Sequence, residues 1–441
     1  MPALAAVIWR RTKPMIRNLF QLAPRILTRV TAAMFFCCLM SADLARGGDW
    51  PQILGPHRDG RAADGERLAG QWPKAGPTTL WQHKVGSGLA GVAVGEGRVI
   101  VFHRLEDEEI VEALDAATGK PLWKAGFPVQ YVSSISEDDG PRCVPLIDED
   151  RVFVLGASGN LHCVAADSGK TLWSRPAYKE FQAPEGYFGA GSSPIVDGDK
   201  LIVNIGGRKG AGLVAFDVKT GKTVWQVSDE QASYSSPQAV TLDGQRHLVF
   251  VTRLNVVSID PDHGKVRFRF PFGSRGPTVN AATPLILDGH VFVSASYGVG
   301  AALAKIEKNG ATQVWANDEV MSSQYATCVF HEGYLYGIDG REDVGVGRLR
   351  CFDPKTGKVV WTEDNFGMAT LILADGKLVI VKTDGELALA TPSPQAYRLL
   401  AEAKAFSSTT RALPALANGR LYVRDTQTLK CLDLGSSEQA D

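Results

Sequence analysis

The stretch DSGKTLW at residues 167–173 contains Gly169-Lys170-Thr171, the closing triplet of a phosphate-binding loop, and the triplet returns at Gly221-Lys222-Thr223. A phosphate loop needs a second glycine five residues upstream so that backbone N–H groups can cradle the anion. Val164 and Phe216 stand there, so nucleotide binding by these loops is rejected. Other chemistry-bearing types give as little. The eight histidines show no His-x-x-x-His spacing, and there is no Gly-x-Ser-x-Gly elbow; GASGN (156–160) reads as a hairpin turn. SEDDGP (136–141) is acidic enough for Ca2+ but lacks the alternating ligands of a calcium loop, and it reads as a solvated loop. No metal site is predicted.

The triplet belongs instead to a repeat. DAATGKPLW (115–123), AADSGKTLW (165–173), DVKTGKTVW (217–225), DPDHGKVRF (260–268) and DPKTGKVVW (353–361) align with Gly fifth and Lys sixth, and IEKNGATQVW is a degenerate copy ending at Trp315. The glycine supplies positive φ, the leading Asp and the Thr or Ser before Gly cap the turn, and Lys charges an edge strand. Tryptophan at 81, 123, 173, 225, 315 and 361 fills the wedge between neighbouring sheets.

Eight units begin at 92, 145, 194, 237, 284, 328, 371 and 414, a period of 43 to 53 residues. Each reads as strand, Asp-Gly turn, strand, loop, strand, Gly-Lys turn, strand. The prediction is an all-β, eight-bladed β-propeller of four-stranded antiparallel blades. The last unit supplies only three strands, and TTLWQHKV (78–85) is an orphan fourth, so the N- and C-terminal strands pair to close the ring.

Residues 1–29 hold six Lys/Arg and no acid, and the apolar run VTAAMFFCCLM (30–40) follows. This order reads as an export signal over 1–46; the run is well short of the roughly 20 residues that span a bilayer. Residues 47–77 are read as an extended arm, 78–434 as the propeller and 435–441 as a disordered tail. The protein is expected to be periplasmic or secreted, a monomer, and membrane-anchored only if the signal stays uncleaved. Without 1–46, 40 Lys/Arg face 47 Asp/Glu, which leaves no electrostatic reason to bind nucleic acid. Five cysteines remain outside the signal, in non-adjacent or differently placed strands, and no disulfide is predicted.

A ligand site, if present, belongs where the innermost strands begin and converge on the axis. Arg142, Tyr234, Tyr325 and Arg411 stand three residues before a blade start, with Asn280 and Tyr187 further back, a set suited to an anionic or polar ligand. The long loops 124–142 and 174–191 join consecutive blades on the same face. Their aromatics Phe127, Tyr131, Tyr178, Phe181, Tyr187 and Phe188 are expected to form a partner surface.

The blade signature Asp-x-x-Thr-Gly-Lys-x-x-Trp resembles the pyrroloquinoline-quinone (PQQ)-type repeat of quinoprotein dehydrogenases and BamB-like outer-membrane assembly factors. The opening DWPQILGPHRDG (49–60) is similar to that of secreted BamB-like propellers of planctomycete-type bacteria. The dehydrogenase branch implies an adjacent cysteine pair over the quinone, a Ca2+ site of Glu, Asn and Asp, and a catalytic Asp. Here the only Cys-Cys is Cys37-Cys38, inside the signal, and no Ca2+ triad can be assigned. The lipoprotein box of the assembly factors is also missing before Cys37. The expectation is therefore an exported, non-catalytic scaffold for an envelope protein or a polar or anionic ligand, with neither PQQ nor calcium supported. A PQQ-dependent dehydrogenase and a carbohydrate-acting enzyme with its site in the funnel are the alternatives.

Overall fold

The structure, a computed structural model, describes residues 48–435 apart from Pro277 and Asn309; the export-signal reading and the tail from 436 onward lie outside the described residues. Among the described residues, thirty-two strands form eight four-stranded antiparallel sheets. Seven are built from consecutive strands, blades 1 to 7 in chain order from Ala93 to Lys404. The eighth joins Ala415–Ala417, Arg420–Arg424 and Thr428–Asp433 to Thr78–Lys84, which pairs with Thr428–Asp433 as its outermost strand. The ring is thus closed by both ends of the chain, as the sequence predicts. Among the described residues, helix is confined to Ala177–Glu180 and a 3-10 turn at Glu342–Val344, and none is long and apolar enough to cross a membrane.

The middle strands of a blade are apolar on both faces because each face meets a neighbouring sheet. In Arg151–Leu155, Val152 and Val154 pack towards blade 1 while Phe153 and Leu155 pack towards blade 3. The core is therefore a series of layers between blades.

The Gly-Lys turns join these layers. Trp173 Nε1 donates to Val218 O of the next blade at 3.0 Å, and Trp81, Trp123, Trp225, Trp315 and Trp361 repeat the contact on Ala116, Ala166, Pro261, Pro354 and Ser393 carbonyls. The Asp caps form as expected: Asp115 Oδ1 accepts from Thr118 N and Oγ1 at 2.8 and 2.7 Å, and Asp217 does the same with Thr220 at 2.8 and 2.6 Å. A second stitch lies near the axis. Ser193 Oγ accepts Val144 N–H, Ser236 Oγ accepts Ser193 N–H and Thr327 Oγ1 accepts Thr283 N–H, each at 2.9 Å and each from one blade to the next.

The arm departs from expectation. Residues 53–58 form turns instead of extended chain and lie against the innermost strands. Trp50 exchanges two 2.8 Å backbone bonds with Val94 of blade 1, and Leu373 of blade 7 brackets Gly60 and Ala62. Arg58, 3% exposed, donates to Pro237 O, Pro194 O, Ser193 O and Gln52 Oε1 at 2.7 to 3.1 Å, and its burial lowers the guanidinium pKa to about 9. Glu66 accepts the backbone N–H groups of Asn418 and Gly419 at 2.8 and 2.7 Å. Four carbonyl or amide oxygens around one buried cation satisfy it without a carboxylate.

Candidate functional site

The face opposite the Gly-Lys turns carries the connections between blades and the turns between second and third strands. All six sequence-predicted ligand residues stand on these connections, but in two groups. Tyr187, Tyr234 and Asn280 line one cavity of about 690 Å3 over blades 3 and 4. Arg142 borders this group, its guanidinium 5.8 Å from the Phe188 ring, while Phe188 N–H donates to Tyr234 Oη at 2.8 Å. Tyr325 and Arg411 form the other group with Glu342, Arg411 Nε lying 3.0 Å and Tyr325 Oη 3.3 Å from its Oε2.

The two arginines singled out for an anion are already committed. Arg142 donates to Gly140 O and Asp138 O at 2.9 and 2.8 Å, holding its own loop, and Arg411 is paired with Glu342. The sequence reasoning missed Arg253 and Arg275, which line the cavity from the turn at 252–254 and the loop at 272–284. An arginine in the short strand-to-strand turn TRLN (252–255) was the available signal.

Arg253 donates to Ser274 O at 3.1 Å, Thr278 Oγ1 at 2.7 Å and Gly276 O, so it faces neutral oxygens only. Asn280 is 1% exposed; its Nδ2 donates to Thr252 O at 2.8 Å and Arg253 O at 3.2 Å, which fixes Oδ1 as the remaining atom, buried and without a hydrogen-bond partner. Burial pushes the Tyr234 phenol up to about 12. Tyr187 reaches across the lip, its Oη 3.5 Å from Gly276 O.

The predicted partner surface is redrawn by burial. Tyr131 and Tyr178 are buried, the first beside Val129 and Ala157 and the second in the layer between blades 2 and 3. Phe127 stacks on His162 at 3.8 Å, and Phe181 meets Phe216 edge-on at 6.0 Å. These aromatics anchor the loops instead of projecting from them. Phe188 is half-buried against Tyr234, and only Tyr187 stays exposed. On these two loops the large apolar side chains that do project, besides Tyr187, are Val132 and Ile135, 72% and 59% exposed. Their loop is braced by its acids: Asp138 Oδ2 and Oδ1 accept Gly88 and Gly140 N–H at 2.9 Å, and Asp139 accepts Ser133 N–H at 2.6 Å. The two SEDDGP aspartates are thus backbone caps.

For a quinone with Ca2+ the resemblance implies an adjacent cysteine pair, a Ca2+ site of Glu, Asn and Asp, and a catalytic Asp. The five described cysteines, 143, 163, 328, 351 and 431, are all buried and free. Burial pushes their thiols up to about 11 for Cys143 and Cys351 and about 12 for the others. Among the described residues no three His, Cys, Asp or Glu side chains gather to hold a metal. Among the described residues, then, no adjacent cysteine pair is present to cover a quinone.

The profile of a family described as "Outer membrane protein assembly factor BamB" matches residues 73–140 and 107–363. BamB of Burkholderia pseudomallei is 22% identical over 323 residues, covering 69% of this chain and 74% of that protein. The quinohemoprotein alcohol dehydrogenase ADH IIB of Pseudomonas putida is 32% identical over 136 residues, only 29% of this chain and 19% of the enzyme. Among solved structures, BamB from Moraxella catarrhalis superposes with a TM-score of 0.59 at 16% identity, covering 82% of this chain and 99% of that one. Quinohemoprotein alcohol dehydrogenase from Comamonas testosteroni gives 0.58 at 13% identity, covering 91% and 82%. At these identities the structural likeness speaks for the fold alone.

Proposed function

Because the chain belongs to the BamB-type family of PQQ-like repeat propellers, we propose that it is an exported, non-catalytic scaffold that holds a protein partner against its loop-bearing face in the cell envelope. The observation carrying this reading is the pair Val132 and Ile135, apolar and exposed on a loop fixed by four aspartate-capped or serine-capped backbone amides. Apolar side chains held rigidly outward lose little entropy on binding, which is how a small patch gains affinity. The leader over 1–46 supports a periplasmic or secreted location, and DWPQILGPHRDG supports the secreted planctomycete-type branch.

The competing reading, a PQQ-dependent dehydrogenase, draws on the alcohol dehydrogenases among the relatives. One assay separates the two. Full-length protein supplied with PQQ, Ca2+ and a panel of alcohols and aldoses is expected to reduce an artificial electron acceptor no faster than free PQQ does. Reduction at enzymatic rates, on the order of 1 per second or more, would overturn the scaffold reading.

A further inference from the structure

We propose that the cavity over blades 3 and 4 is a binding site for a carboxylated sugar of the uronic acid class. It adjoins the patch at Val132 and Ile135, whose loop contributes Ser134 to the lining, but its ligand is independent of any protein partner. Two unmet demands define its ligand. The first is positive charge. Several guanidiniums of this face are neutralised, Arg411 by Glu342, Arg341 by Asp343, and Arg348 and Arg350 by Asp339, whereas Arg142 and Arg104 donate to backbone carbonyls outside the cavity lining. Arg253 and Arg275 have no carboxylate within salt-bridge distance among the described residues, and Glu185 is the single acid lining the cavity. A bound carboxylate meets this demand with charge-assisted hydrogen bonds.

The second demand is for a donor. Asn280 Oδ1 is a buried acceptor without a partner in the cavity wall, and its orientation is fixed by the two carbonyls its amide nitrogen serves. A hydroxyl satisfies one such acceptor. An ammonium group needs about three, and the wall offers no carboxylate besides Glu185. The remaining lining is compatible with hydroxylated ligands: Tyr187 and Tyr234 line the cavity and Gln231 and Ser134 add hydrogen-bonding groups, while the hydroxyls of Ser233 and Thr278 are engaged with Val251 O and Ser274 O. The volume of about 690 Å3 lies within the range of small-ligand sites and accommodates a disaccharide.

The test is calorimetric titration of the full-length protein with digalacturonate, with the neutral disaccharide galactobiose and with inorganic sulfate. Saturable binding of digalacturonate is expected, weakened at least about tenfold by Arg275→Ala and by loss of the carboxylates in galactobiose. Arg275 is exposed, so its replacement leaves the fold intact, and an unchanged melting temperature verifies this. Absence of digalacturonate binding at millimolar concentration overturns the proposal. So does equal binding of galactobiose, binding that Arg275→Ala does not alter, or displacement of the sugar by equimolar sulfate, which marks a site for any anion. Glycine and alanine form a last arm; tighter binding of either would assign the site to amino acids and overturn the sugar reading.

Discussion

Glu109 is 1% exposed and has its Oε1 2.7 Å from the N–H of Ala157 in the next blade. Burial raises its carboxyl to about 7, against the opposing pull of that bond and of Arg104. An unfolded glutamate titrates near 4.5, so the folded state binds the extra proton between these values. The stabilisation is complete below about 4.5 and is lost as pH rises through about 7. Glu109→Gln keeps the shape without the charge. Its stability relative to the parent in urea unfolding is expected to improve by up to roughly 3 kcal/mol between pH 5 and pH 8; parallel pH profiles would contradict this. Single residues were the least legible part of the sequence. Glu109 reads as a polar position on a strand, and Tyr131 and Tyr178 read as exposed loop aromatics. Their burial depends on contacts with the neighbouring blade that no local pattern encodes. The residues near the cavity were partly legible because Tyr234 stands three residues before a blade start and Asn280 and Tyr187 stand further back on the same kind of connection, whereas Arg253 lies on a different turn.

At the scale of the element, the Gly-Lys turn was legible because its cause is local and repeated. Its second cause was hidden. Gly169 has φ +69, and a Cβ there would also lie 2.4 Å from the ring of Trp123, which docks from the preceding blade. Gly169→Ala is therefore expected to cost about 2–4 kcal/mol, part from backbone strain and part from the clash. In a Trp123→Ala background the same change should cost only about 1 kcal/mol, since the strain alone remains. Additive losses in the double-mutant cycle would show that the ring does not bear on the turn. A further regularity lies beyond pattern reading. In all eight outermost strands the ladder skips one residue, which is the residue before tryptophan wherever tryptophan is present, as between Thr79 and Trp81. Such a bulge bends the edge and spoils it as a template for another chain. Leu122, Leu172 and Val224 are the skipped residues of blades 1 to 3 and stand exposed there.

For the whole molecule, closure explains why the repeat decays where it does. Each tryptophan rests on the Gly-Lys turn or its counterpart in the next blade. Blade 8 has no such turn, because its outermost strand comes from the other end of the sequence. Blade 7 accordingly carries Ala401 at the tryptophan position, paired with Leu389. The orphan strand Thr78–Lys84 then ties blade 8 to blade 1: Trp81 Nε1 donates to Ala116 O at 3.1 Å, and His83 Nε2 lies 3.1 Å from the buried Glu112. This closure was legible from counting strands. The arm across the axis was not, because its partners lie as far away in sequence as Asn418. If the orphan strand is what seals the ring, replacing residues 78–84 with a Gly/Ser linker of equal length leaves Thr428–Asp433 as an open sheet edge. That chain is expected to form concentration-dependent oligomers in sedimentation experiments. An excess of the synthetic peptide spanning residues 78–85 should return it to monomer by refilling the edge. A chain that stays monomeric with an unchanged melting temperature would show that the arm and the seven complete blades hold the ring closed without it.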